Sequence, residues 1–187
     1  MRVITGSARG VQLKTPQGME TRPTADKVKE ALFSILQFDI PGGRVLDLFA
    51  GTGQLGIEAL SRGAKHAIFV DHQQTACALV RENLKRAKLQ DQATVICADY
   101  LSYLKNTKDT FDFIFLDPPY GEVFLENAIK YLSEIDILQS GGIIVAERPV
   151  GKDLPWTIPG CSRSKDYRYG STLLTLYRKD SGREVNE

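Results

Sequence analysis

Four consecutive residues, Asp117-Pro118-Pro119-Tyr120, follow an apolar run, Phe113-Ile114-Phe115-Leu116, that reads as a buried strand. Consecutive prolines cannot continue a sheet, so the chain leaves the strand in a rigid, extended turn. Such a turn presents the Asp117 carboxylate and the Pro118 carbonyl as two preset acceptors. An exocyclic amino group carries two donors and a lone pair delocalised into its ring. Accepting both hydrogens in a fixed geometry draws the nitrogen toward tetrahedral character and frees the lone pair for attack. This is catalysis by positioning and electrostatic preorganisation. Asp117 can also take the released proton, and Tyr120 offers a flat face on which an extruded base can stack. In isolation the tetrapeptide suits a strand-ending turn equally well, so its neighbourhood decides.

That neighbourhood contains Gly51-Thr52-Gly53-Gln54-Leu55-Gly56, a G-x-G-x-x-G loop between a strand and a helix, with Asp71 closing the next strand. Alone this is a dinucleotide fingerprint, with glycines for close backbone approach and an acid for ribose hydroxyls. A nicotinamide-dependent oxidoreductase is therefore a rival reading. Asp47, four residues before Gly51, weighs against it, because a carboxylate so close to phosphates is repelled. A cationic ligand carrying an ammonium and a sulfonium, S-adenosylmethionine, has use for that acid. Asp99 ends a third strand, where it can accept from an adenine amino group while Tyr100 packs beside the ring. Each acid alone could be a helix N-cap. Their coincidence with the glycine loop makes Asp47, Phe49, Gly51, Gly53, Asp71, Asp99 and Tyr100 the candidate cofactor residues.

The elements that must hold these residues alternate between strand-like and helix-like from about residue 26. Val28, Ala31, Leu32, Ile35 and Leu36 form one helical face. Strands are expected at Arg44–Phe49, His66–Asp71, Ala93–Ala98, Phe111–Leu116 and Gly142–Glu147. Helices are expected through Ile57–Arg62, over Gln73–Leu89, and around Leu125, Ala128, Ile129 and Leu132. Arg2–Thr15 reads as a hairpin, and Ser162–Tyr169 with Ser171–Arg178 as an antiparallel pair around Gly170. The expected fold is α/β, Rossmann-like and seven-stranded. Its sheet is mostly parallel, with a C-terminal antiparallel hairpin and an N-terminal β-hairpin extension over residues 1–20. Residues 21–180 form the catalytic domain and 181–187 a polar tail.

A net charge of +1 gives no global sign of a nucleic-acid partner. The distribution does: Arg2, Arg9 and Lys14 occupy residues 1–19 without a carboxylate until Glu20 follows, and Arg22, Lys27 and Lys29 come next. A local cationic arm on a neutral body suits a phosphate-bearing partner, although a solvated basic surface carries the same charges. Cys77, Cys97 and Cys161 form no C-x-x-C pair, and with His66 and His72 they assemble no usual metal spacing. Cys77 and Cys97 fall at apolar positions and read as small buried hydrophobes. No signal region or membrane-length apolar run is seen, which predicts a cytoplasmic protein with no membrane partner.

Several longer segments carry a resemblance. They are Met1-Arg2-Val3-Ile4-Thr5-Gly6 with Arg9-Gly10, Thr21-Arg22-Pro23-Thr24-Ala25-Asp26-Lys27-Val28-Lys29-Glu30-Ala31-Leu32-Phe33, and Asp47-Leu48-Phe49-Ala50-Gly51-Thr52-Gly53. Leu55-Gly56-Ile57-Glu58-Ala59-Leu60-Ser61-Arg62-Gly63-Ala64 and Asp117-Pro118-Pro119-Tyr120 complete the set. With these the sequence resembles the RsmD-type bacterial 16S rRNA guanine-N2 methyltransferases over nearly its whole length. The resemblance implies S-adenosylmethionine-dependent methylation of one guanine N2, at the position conventionally numbered 966, in 16S rRNA or an assembling small ribosomal subunit. It also implies that Asp117 through Tyr120 are catalytic and that the hairpin and Arg22-Pro23-Thr24 approach RNA. Arg2, Arg9, Lys14, Arg22 and Thr24 are thus the candidate RNA residues. One departure stands out: Asp71 occupies the ribose position where this family pattern leads one to expect Glu. Amino-methyltransferases of DNA or of protein glutamine are the nearest alternatives, and Asp rather than Asn at 117 disfavours them mildly.

Overall fold

Short apolar, β-branched runs bounded by glycine or proline make the strands, and amphipathic stretches between them make the covering helices. The computed structural model describes residues 1–16, 23–119, 123–151, 153–154 and 157–181. The order is α1 (Pro23–Ile35), β1 (Arg44–Asp47), α2 (Gln54–Ser61), β2 (His66–Asp71), α3 (Gln74–Ala87), β3 (Ala93–Cys97), α4 (Tyr100–Asn106) and β4 (Phe111–Leu116). Then come α5 (Phe124–Leu132), β5 (Leu138–Pro149), β6 (Thr157–Ile158), β7 (Cys161–Tyr169) and β8 (Thr172–Lys179).

One sheet runs β3-β2-β1-β4-β5-β8-β7-β6. β1 to β5 pair in parallel, while β8 joins β5 antiparallel and carries β7 and β6 beyond it. The seven expected strands are all present, and the two-residue β6 adds an eighth at the edge. The chain order reverses across β1, so the crevice beyond the carboxyl ends of β1 and β4 is where such a sheet takes a ligand.

Side chains alternate between faces, and the register sorts them. Val45, Phe113, Ile143, Phe115 and Val145 sit in one cluster with α1, α2 and α3; Leu46, Ile114 and Ile144 sit in the other with α4 and α5. Phe33 of α1 meets Phe115 edge to face, with ring centroids 5.7 Å apart. β5 extends past the expected strand at both ends: Leu138 pairs with Phe111 of β4, and Arg148 and Pro149 continue the antiparallel ladder with β8. α4 is not foreseen in the sequence, since seven residues carry too little periodicity to register.

The N-terminal hairpin is tied to the body. Val3 N–H donates to Val11 O, Gly10 N–H to Val3 O and Leu13 N–H to Met1 O, yet only one bridge forms, Arg2 with Gln12. The ladder is short because other groups take its polar atoms. Ile4 and Thr5 N–H donate to the Glu58 carboxylate at 2.8 and 3.0 Å, and Ala8 N–H donates to Ser61 Oγ. Val3, Ala8 and Leu13 are buried in the cluster of α1 and α2. Cys77 is buried and burial pushes its thiol up to about 12, whereas Cys97 and Cys161 are half-buried. Among the described residues no helix is long and apolar enough to cross a membrane.

Candidate active site

The glycine loop connects β1 to α2 through two left-handed residues, Gly51 at φ 53° and Gly53 at φ 78°. Nothing lies within 4 Å of where a Cβ on Gly51 would stand, so the space above that turn is open. Gly56 is different: a Cβ there would come within 2.3 Å of the Phe69 ring, which makes it the residue that lets α2 lie close on β2.

All three strand-end acids hold backbone amides. Asp47 Oδ2 accepts from Gly56 N–H at 3.0 Å. Asp71 accepts from Gly51 N–H and from Gln73 N–H, each at 2.9 Å. Asp99 caps α4 by accepting from Ser102 N–H at 3.0 Å. A carboxylate has about four acceptor positions, so each keeps capacity for a ligand. Burial raises the Asp47 carboxyl to about 7, the Gly56 hydrogen bond opposes that rise, and the Asp71 charge adds to it. Phe49 and Tyr100 come together on the α4–α5 side, 5.0 Å between ring centroids, and both contact Phe124. Tyr100 is largely buried there, so it serves as a wall of the crevice more than as an open platform.

Asp117 stands half-buried at the end of β4, with Pro118 buried and Pro119 exposed behind it. Tyr120 lies outside the described residues. Asp117 faces a cavity of about 200 Å³ lined by Val28, Lys29, Leu32, Gln54, Leu55 and Glu147. Burial, then the negative charges of Glu147 and Asp47, hold its carboxyl well above the usual carboxylate range. A proton acceptor with raised affinity, set in a cavity beside an open glycine turn, is what removal of an amine proton requires.

Three residues of this cavity are not among the candidate site residues read from the sequence. Glu147 closes the apolar run Ile143–Ala146 as Asp117 closes Phe113–Leu116, and that parallel was the available signal. Gln54 Oε1 is buried without a hydrogen-bond partner. Lys29 is 2 % exposed, donates to Arg2 O at 2.6 Å and lies 3.7 Å from Glu58; burial lowers its pKa.

Of the RNA candidates, Arg2 and Arg9 are exposed on the docked hairpin, and Lys14 pairs with Glu82 on α3. Arg22 lies outside the described residues, and Thr24 falls within α1 where only its backbone is described. Among the described residues no group of three or more His, Cys, Asp or Glu is placed to hold a metal ion.

A family model described as "Conserved hypothetical protein 95" matches residues 1–178. The chain belongs to this family. It is the RsmD family that the sequence resembles. YlbH of Bacillus subtilis (strain 168) is 43% identical over 182 residues, covering 96% of this chain and 99% of that protein. Ribosomal RNA small subunit methyltransferase D of Haemophilus influenzae is 39% identical over 162 residues, covering 85% of this chain and 83% of the relative. The solved structure of yhhF from Escherichia coli superposes with a TM-score of 0.87 at 30% identity, covering 97% of this chain and 98% of the other. The match to yhhF runs over nearly the whole of both chains, so the likeness extends across the sheet as one unit.

Proposed function

We propose that this protein transfers a methyl group from S-adenosylmethionine to the exocyclic N2 of a guanine in 16S rRNA, at the position conventionally numbered 966, in free rRNA or an assembling small subunit. The observation that carries this reading is Asp117. It is a carboxyl with raised proton affinity at the tip of β4, in the cavity that adjoins the open glycine turn. The small-subunit rRNA methyltransferase name of the Haemophilus relative supports the RNA substrate.

The residues fit the cofactor. The open space above Gly51 admits a ligand against the backbone, and Asp71 stands beside it with acceptor capacity for ribose hydroxyls. When bound, S-adenosylmethionine supplies an electrophilic methyl on a sulfonium. Asp47 and Asp117 place negative charge near that cation when ionised. The Asp117 carboxylate and the Pro118 carbonyl accept the two amino hydrogens and orient the lone pair. Asp117 then receives the proton that the nitrogen gives up.

Labelled S-adenosylmethionine offered with naked rRNA, 30S particles, DNA or protein tests the reading. Label is expected in rRNA or the particle, at a single guanine. Label in DNA or protein alone overturns it, and so does tight NAD binding without binding of S-adenosylhomocysteine.

A further inference from the structure

Glu147 lines the cavity and raises the Asp117 carboxyl, but the chemistry above gives it no contact with the base. Leu116 of β4 pairs with Ala146 of β5, so Asp117 and Glu147 are the next residues of two neighbouring parallel strands. Both continue the face of Phe115 and Val145, on the side covered by α1 and α2. Both line the same cavity, and the charge of Glu147 is felt at Asp117. At about 200 Å³ the cavity is smaller than pockets for drug-sized ligands, about 300–1,000 Å³, and suits one ring system. Lys29 also lines it, but its ammonium is bound to Arg2 O and Glu58.

The arrangement sets two carboxyl groups side by side, and among the bases only guanine has a matching edge. Guanine carries a ring N1–H next to its 2-amino group, so it offers adjacent donors. Adenine and cytosine carry an unprotonated ring nitrogen next to their amino groups, and that acceptor is repelled by a carboxylate. We propose that Glu147 accepts the guanine N1–H while Asp117 engages the 2-amino group, so that Glu147 sets the base specificity. This rests on the guanine-amine reading above. The structure places the half-buried Glu147 carboxyl in the cavity; discrimination follows from the cost of setting it against another acceptor there.

A chemical cycle tests it, using rRNA fragments in which the target is guanine or 2-aminopurine. The analogue keeps the 2-amino group but has no N1–H. Glu147→Gln has an amide that can donate to the bare N1. The wild-type protein is expected to prefer guanine over 2-aminopurine by about 100-fold or more in kcat/KM. In Glu147→Gln that preference is expected to shrink at least tenfold. Loss of the guanine O6 affects both proteins alike and cancels. S-adenosylhomocysteine binding and thermal unfolding of the variant establish that its fold and cofactor site persist. If that control fails, Glu147→Asp, which keeps the carboxylate on a shorter arm, is measured instead and should lower kcat/KM on guanine while still rejecting 2-aminopurine. Equal preference in wild type and Glu147→Gln overturns the role of Glu147 and leaves the guanine reading intact. A wild-type protein that methylates no rRNA guanine overturns both.

Discussion

Asp47 accepts a hydrogen bond from the Gly56 N–H at 3.0 Å, at a position only 2 % exposed. The acid at the tip of β1 therefore shapes the first turn of α2, whatever ligand it also serves. Burial lifts its carboxyl from 3.8 to about 7. In the unfolded chain the proton leaves near the ordinary value, so the folded form binds the proton more tightly. The stability this contributes is complete below pH 4 and is lost as pH rises through 7. Relative to Asp47→Asn, wild-type unfolding free energy should fall between pH 4 and 7 by an amount approaching about 4 kcal/mol at most. Urea titrations across that range read the difference, and a constant difference would remove the buried-acid account.

Much of this site is legible in the sequence because its parts are punctuated. Glycines, prolines and acids that interrupt apolar runs fix where β1, β2 and β4 end, and these ends carry Asp47, Asp71 and Asp117. The local uses of those acids are less legible. Asp99 sits where a ligand acid is expected, yet its observed bond caps α4, a helix too short to announce itself. Glu147 is hidden for another reason: its relation to Asp117 comes from the register of two strands about thirty residues apart in sequence, which residue spacing does not encode. The N-terminal hairpin is legible as a turn, but its docking through Glu58 depends on tertiary contacts over more than fifty residues.

Gly6 and Gly10 should respond differently to alanine. Both are left-handed, at φ 91° and 83°. A Cβ on Gly6 would stand 1.7 Å from Ser61 O, while one on Gly10 meets nothing within 4 Å. Gly10→Ala should cost only the backbone strain, about 1–2 kcal/mol. Gly6→Ala should cost at least twice that, because the loop must lift from α2. Denaturant midpoints compare the two, and equal losses would mean that the loop is not seated.

Glu58 is fully buried and accepts from Ile4, Thr5 and Arg62. Glu58→Ala strands those donors and removes the larger of the two negative charges acting on Lys29, the other being Asp26. The expected loss is about 3–5 kcal/mol. Glu58→Gln retains one acceptor oxygen and should lose less. Urea unfolding of the two variants gives the ordering, and an alanine variant as stable as wild type would contradict the network.

Arg2 and Arg9 are exposed on the docked hairpin. If they meet phosphate, replacing either with alanine should weaken rRNA binding without sequence preference and lower the salt slope by about 1. S-adenosylhomocysteine affinity should not change. Filter binding over a salt series measures both, and an unaltered slope would assign these arginines to the solvated surface.

Asp117 offers the sharpest kinetic signature. Replacing it with alanine should reduce turnover by about 10²–10⁴-fold while S-adenosylhomocysteine still binds. Its ionised form is the acceptor, so activity should fall as pH drops through its titration. Burial and the charges of Glu147 and Asp47 hold that titration above the ordinary carboxylate range. The acid limb of the pH profile should lie correspondingly high in the wild-type protein. Glu147→Gln removes one of the two neighbouring negative charges, so the limb should move to lower pH even where the maximal rate is reduced. Profiles of kcat/KM for the two proteins decide this, because a corner that merely ends a strand would leave the limb where it was.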